Sequence, residues 1–203
     1  MTTARKILSN QAFDDPQALL EAFKARDQRA IAEVYRQHVK GITRLVQRVL
    51  GPDNERDDLV QEAFMCAIEG AAGFRGDASN FGAWLNQIAV MRVRQRIRKR
   101  RLRRWLSFRE PEAMPERVSS VGQPAERLAL SRAYHILGQL NADDRIVFGL
   151  RFIDRQSIPE IAELCKISCA TVKRRLTHAD ARFRLLAGKD MILRDWLVGE
   201  VEL

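Results

Sequence analysis

Three cysteines among 203 residues are few and odd in number. That excludes a disulfide-stapled fold and fits a reducing compartment. Long apolar runs are missing too: none reaches the about 18 residues a bilayer span needs. The amino terminus, MTTARKILSNQAF, has no signal-peptide apolar core, so export is not expected and the cytoplasm is the expected location. There is no phosphate-cradling glycine loop, nucleophile elbow or carboxylate pair with its own pocket, so neither an enzyme, a small-molecule substrate nor a cofactor is expected. Cys165, Cys169 and His178 lack a fourth ligand for zinc, and no metal is expected. His38 and His135 stand alone in helical segments. Alternating strand patterns and internal repeats are absent, which leaves an all-α chain.

What is present is apolar residue enough for globular cores, 46% of the chain, and positive charge: 35 Lys and Arg against 26 Asp and Glu, a net +9. A balance this basic points to a polyanionic partner.

Residues 57–104 hold the strongest contrast. In DDLVQEAFMCAIEG, Leu59, Ala63 and Ala67 with Val60, Phe64 and Ile68 fall on one arc at helical spacing. Asp58, Gln61, Glu62 and Glu69 fall opposite. Asp58 and Glu62 are four apart, where like charges cost a few tenths of a kcal/mol. An acidic face kept on so basic a chain suggests a cationic partner, although a merely solvated face has the same pattern. Further on, Phe81, Trp84, Leu85 and Ile88 share one side of a second helix. From 92 to 104, nine of thirteen residues are Arg or Lys. Such a stretch is expected to project from the core or to lie on phosphates, with counterion release driving the contact. A solvated charge run is the bland alternative. Between the helices, Phe74-Arg75-Gly76-Asp77-Ala78-Ser79-Asn80-Phe81 places small polar groups between aromatics. That suits an unstacked base, and it is also ordinary turn chemistry.

Taken in order, residues 1–12 are expected to be loosely ordered. Asp14-Asp15-Pro16 starts a helix that continues through Leu19, Leu20 and Phe23. A second segment, 30–50, is closed by Gly51-Pro52, and with the two helices above it completes a domain over 13–106. Residues 107–125, SFREPEAMPERVSSVGQPA, hold three Pro, one Gly and three Ser with no apolar periodicity and read as a flexible linker. A second helical domain follows over 126–187. In it Asn141 caps a helix with Asp143 and Asp144 in its first turn. Ser157-Ile158-Pro159-Glu160 is a capping box that opens a short helix, and Ser168 caps a longer one. Two helices joined by so short a turn have helix-turn-helix spacing. Ile161, Cys165, Ile167, Val172 and Leu176 supply the buried face, with Ala162 small at the crossing. Thr171, Lys173, Arg174, Arg175, Thr177 and His178 face outward, suited to base edges and phosphates. In the tail, 188–203, Met191, Leu193, Trp196 and Leu197 form an apolar face expected to dock on this chain.

DDLVQEAF, followed by FRG, a polar loop, F-x-x-W-L and IA, resembles region 2 of bacterial RNA polymerase sigma factors, above all the extracytoplasmic-function class. EIAELCKISCATVKRRL resembles their region 4. The resemblance implies a promoter-specificity subunit whose partners are core RNA polymerase and promoter DNA, duplex and melted, with an anti-sigma factor common in the family. It implies that Asp57, Asp58, Gln61 and Glu62 dock on a basic coiled coil of the polymerase. Phe74, Arg75, Asp77, Ala78, Ser79, Asn80, Phe81 and Trp84 would hold an extruded base of the −10 element, with Arg92, Arg96 and Arg100 on neighbouring phosphates. Ser168, Thr171, Lys173, Arg174, Arg175, Thr177 and His178 would read the −35 element. The −10 loop is one residue longer than the common form. Lys166 stands where the family's turn usually has Gly, at a cost of about 1 kcal/mol if the position is left-handed. Thr177, His178 and Asp180 stand where further arginines are usual. Two other classes compete: an autonomous helix-turn-helix regulator, which leaves the acidic helix without a purpose, and a basic RNA-binding protein.

Overall fold

The computed structural model describes residues 13, 15–107 and 124–194. Helix α1 (Pro16–Lys24) begins where the Asp15 carboxylate accepts the amides of Gln17 and Ala18, with proline in the first turn. Asp27 caps α2 (Gln28–Leu50) in the same way, and Gly51 ends that helix at φ +71. Helix α3 (Arg56–Gly70) runs into a short 3-10 turn, Ala71–Gly73. Helix α4 (Ala78–Ser107) is the longest, at 30 residues. Helices α1 to α4 pack on a common core whose most enclosed side chains include Leu20, Phe23, Val34, Ile42, Val46, Leu59 and Leu85. Burying each contributes about 1.5–3 kcal/mol of transfer free energy, which is what holds four otherwise marginal helices together.

The second group is α5 (Pro124–Leu137), α6 (Ala142–Phe148), α7 (Ile158–Cys165) and α8 (Cys169–Ala187). A π-helical turn, Gly149–Ile153, follows α6. Asn141 accepts the amide of Asp144, and Ser157 and Glu160 complete the capping box reciprocally. Beyond α8, Asp190 caps a further helical turn whose Leu193 is buried with Ala129, Ile136 and Ala187. The tail therefore starts to dock on α5 and α8, although Met191 stays exposed; Trp196 and Leu197 lie outside the described residues. So do residues 1–12 and nearly all of the expected linker. Of the linker's ends, Ser107 closes α4, while Pro124 and Ala125 open α5.

The fold is all-α, with no strand among the described residues and no helix there long and apolar enough to cross a membrane. The sequence reading of α4 needs one correction. Its basic stretch does not project as a whole: Ala89, Val90, Val93 and Ile97 continue the buried stripe begun by Phe81, Leu85 and Ile88. Two β-branched residues four apart are enough to seat this part of the helix, because the flanking arginines reach acids on neighbouring helices. Beyond Arg100 the apolar side chains of α4 turn outward, with Leu102, Trp105 and Leu106 exposed.

Candidate nucleic-acid interface

The acidic face and the basic helix, each expected to meet a different outside partner, meet one another. Arg96 reaches Glu55 and Glu62, both at 2.7 Å. Arg100 holds Asp53 through Nη2 at 2.9 Å and Glu55 through Nε at 3.1 Å. These guanidiniums, Arg100 first and Arg96 second, pull the Glu55 carboxyl down to about 2, and Asp53 in turn raises Arg100. Arg92 turns to the Cys66 thiol and to Gln95. The three arginines assigned to phosphates near the −10 element are thus committed to α3 and to the α2–α3 turn. On α3 itself, Asp57 pairs with Arg56 and Glu62 with Arg96. Asp58 and Gln61 remain exposed, and their side chains make no hydrogen bond or ion pair among the described residues.

The polar segment before α4 is shorter than the sequence suggested. Ala78, Ser79 and Asn80 already belong to the helix, and Asp77 is its cap. One Asp77 oxygen accepts from the amides of Ser79 and Asn80 and from both their side chains. Those bonds, led by the Ser79 hydroxyl, hold the carboxyl below its usual range. Asp-Ala-Ser-Asn is turn chemistry in sequence, and here the same chemistry starts a helix. The Ala78 amide also donates to Gln17 at 3.1 Å, pinning the segment to α1. Beside it, Phe74, Phe81 and Trp84 pack on one another at ring separations of 4.9 to 5.6 Å. Phe81 is buried, and Phe74 and Trp84 are half-buried, with the Lys24 ammonium 5.9 Å from the Phe74 ring centre. Gly76 is required there, because a Cβ would lie 2.5 Å from the Phe74 ring. Arg75 is exposed beside it.

In the helix-turn-helix, Ile161, Ala162, Cys165 and Val172 are buried, with Ile167 and Leu176 packed against them. Burial pushes the Cys165 thiol up to about 11, so it behaves as a small apolar group. Lys166 ends α7 in the left-handed region, at φ 54 and ψ 50, the conformation that favours glycine. On α8, Ser168 accepts the Thr171 amide at 3.1 Å and shares a hydroxyl contact with it, while the Thr177 hydroxyl donates to the Lys173 carbonyl. Arg175 turns to Asp143 at 3.3 Å, and His178 to the buried Asp144. Asp180 pairs with Arg184 at 2.9 Å and so is directed along its own helix. Lys173 and Arg174 are exposed, with no ion pair or hydrogen bond from their side chains among the described residues.

One cluster escaped the sequence reading. Asp143, taken only as a first-turn acid of α6, faces Arg94 and Arg98 of α4 as well as Arg175 of α8. Partners 32 to 49 residues away leave no local signal.

Comparison with known proteins fits this architecture. The family model for Sigma-70 region 2 matches residues 34–103, and that for Sigma-70, region 4 matches residues 130–181. RNA polymerase sigma factor CnrH of Cupriavidus metallidurans is 30% identical over 186 residues, covering 87% of this chain and 97% of that protein. ECF RNA polymerase sigma factor SigM of Mycobacterium tuberculosis is 28% identical over 170 residues, covering 84% and 83%. The solved structure of CnrH in complex with the cytosolic domain of CnrY superposes with a TM-score of 0.55 at 26% identity, covering 87% of this chain and 99% of that one. Both regions occur in order on this chain, and the relatives are matched over most of their own length. The chain belongs to the sigma-70 family, as an extracytoplasmic-function sigma factor, the promoter-specificity subunit that directs RNA polymerase to its start sites.

Proposed function

We propose that this sigma factor divides its work among three surfaces, and that two pairs of side chains without partners among the described residues mark the outer two. Asp58 and Gln61, with Asp57 and Glu62 beside them, dock on a basic surface of core polymerase. Lys173 and Arg174 lead the −35 contact from α8, with Ser168, Thr171 and Thr177 as neighbouring polar groups. Arg75 and the half-buried rings of Phe74 and Trp84 receive a base of the melted −10 strand. Capture of that base offsets an unstacking cost of a few kcal/mol. The observation that carries this reading is the contrast within each helix: Asp57, Glu62 and Arg175 are paired internally, and these side chains have no partner among the described residues.

The division into a −10 unit over 13–106, a connector over 107–125, a −35 unit over 126–187 and a tail belongs to the same proposal. So does its working place, the cytoplasm, where template and polymerase meet. The chain carries no chemistry of its own and needs no cofactor; the bond-making centre belongs to the polymerase. An anti-sigma factor is a further proposed partner, since CnrH is solved with the cytosolic domain of CnrY. An autonomous regulator would have no use for the unpartnered acid on α3.

Transcription with purified core polymerase on a random-promoter library tests the reading. New start sites with a shared pair of upstream elements are expected. Asp58→Lys is expected to abolish polymerase association and leave the thermal midpoint unchanged. Pull-down at wild-type level by that variant removes the docking face from the proposal.

A further inference from the structure

Positive charge outruns negative charge near the end of α4. Asp143 faces three guanidiniums: Arg94 and Arg98 of α4, each at 2.9 Å, and Arg175 of α8 at 3.3 Å. One carboxylate cannot neutralise three of them. Beside these, Arg101 of α4 and Arg174 of α8 are exposed, and their side chains make no hydrogen bond or ion pair among the described residues. The other acid nearby, Asp144, is already taken up: its side chain is 6% exposed and is held by the Asn141 amide at 2.6 Å and by His178. Arg98, Arg101, Arg174 and Arg175 line one cleft with these two acids, of about 480 Å³. That lies within the range of about 300–1,000 Å³ usual for small-molecule sites. A cleft with a surplus of one charge concentrates ions of the other, and the guanidinium fork fits paired phosphate oxygens.

Arg101 is also one wall of a second hollow, of about 270 Å³, lined by Trp105, Gln139 and Leu140. The Trp105 side chain is 75% exposed, over a floor that includes the buried Leu140. An indole face left open in this way stacks on any nucleobase. Gln139 is exposed too, and its side-chain amide, without a partner among the described residues, offers a donor and an acceptor to a base edge. Phosphate contacts to a duplex would account for the arginines. They would leave Trp105 and Gln139, beside the same arginine, without a use.

We propose that the two hollows form one site for a nucleoside diphosphate. Its phosphates lie among Arg98, Arg101 and Arg174, and its base lies on Trp105 beside Gln139. Arg98, 62% exposed, turns to a phosphate while Arg94 and Arg175 stay on Asp143, so the carboxylate keeps its counter-charge. The molecule is a ligand and not a substrate: no bond is made or broken. The site does not depend on the assignment of α8 to promoter DNA, and no DNA enters its test.

The test is isothermal titration of the full chain in metal-free buffer with GDP, ADP, inorganic pyrophosphate and guanosine, followed in parallel by tryptophan fluorescence. Both nucleotides are expected to bind one to one in the micromolar range, because stacking tolerates either base. Pyrophosphate is expected to bind about tenfold more weakly, for want of the stacked base, and guanosine not measurably. Arg101→Gln and Arg174→Gln should each weaken nucleotides and pyrophosphate about tenfold, the scale of a lost hydrogen bond to a charged group. Trp105→Ala should bring the nucleotides down to the level of pyrophosphate and remove the fluorescence response. Lys99→Gln takes the same charge from an exposed position of α4 outside the cleft, and should change affinity by no more than about twofold. All four substituted side chains are exposed, so the folded state is retained, with thermal midpoints as the check. No measurable binding of either nucleotide overturns the site. So does an equal loss in Lys99→Gln and Arg101→Gln, which means diffuse attraction to a basic surface. Pyrophosphate binding as tightly as the nucleotides, or Trp105→Ala without effect on them, overturns the assignment of a nucleoside.

Discussion

Two basic helices in this protein carry their charge in opposite ways. Along α4 the arginines from 92 to 100 are matched by Asp53, Glu55, Glu62, Asp143 and two uncharged partners, and the helix is seated on Val93 and Ile97. On α8 the cations are fewer, and Lys173 and Arg174 have nothing to hold among the described residues. Charge density in a sequence therefore overstates α4 and understates α8 as exposed cationic surface. A run of arginines binds whatever acid is nearest. Inside a folded chain, that acid is often its own.

The sharpest way to break this contrast is to remove Arg100. Its removal leaves the Asp53 carboxylate, 6% exposed, without its guanidinium. Arg100→Met is expected to cost about 3 kcal/mol in a denaturant titration, the scale for breaking a largely enclosed ion pair from one side. Unchanged stability would return Arg100 to the surface and to DNA.

Arg174→Ala should behave in the opposite manner. Stability is expected to stay within about 0.5 kcal/mol, since nothing inside the chain loses a partner. Binding of the polymerase complex to its upstream element should weaken by about 1–3 kcal/mol and lose preference at one base if the guanidinium grips a guanine edge. Equal weakening on all sequences would make it a phosphate contact.

Acid separates the helices as well. The Glu55 carboxyl is depressed in the folded protein to about 2, from an ordinary 4.5. Its contribution is therefore present above pH 4.5 and lost as pH falls from there through 2. Stability measured down that range should decline in the wild type and decline less steeply in Arg100→Met, which lacks the first cause of the depression. No comparable flattening is expected from Arg174→Ala.

What the sequence made legible was local. Asp15-Pro16, Asn141, Ser157-x-x-Glu160 and Ser168 each declare a helix start within three residues, and each start is where it was expected. The helix-turn-helix core was legible for the same reason, from spacing alone. Asp77 to Asn80 show the limit of that logic, since capping and turning use the same side chains, and only the neighbouring Gln17 and the following apolar stripe decide between them. The candidate site was legible as a set of residue types and much less as a set of exposed groups. Whether an arginine is available depends on acids 34 to 47 positions away, as Arg96 with Glu62 and Arg100 with Asp53 demonstrate. No window of the sequence contains that information.

The smallest effect concerns how α8 is held rather than what it carries. Asp77 starts α4 without backbone strain, whereas the turn before α8 passes through Lys166 at φ 54. A side chain there costs about 1 kcal/mol relative to glycine in the folded state. Lys166→Gly removes that strain but gives the unfolded chain more freedom, worth about 0.4–1 kcal/mol in the other direction. The net gain expected is thus only a few tenths of a kcal/mol, read as a small rise in the denaturant midpoint at unchanged slope. The Lys166 amide and the Ile167 amide bond back to Glu163 and Ala162 in either variant, so the crossing of α7 and α8 is retained. Upstream-element recognition should then be unaltered. A change in base preference with Lys166→Gly would mean that the lysine side chain, and not the turn it tolerates, takes part in the reading of DNA, and would place a third free cation beside Lys173 and Arg174.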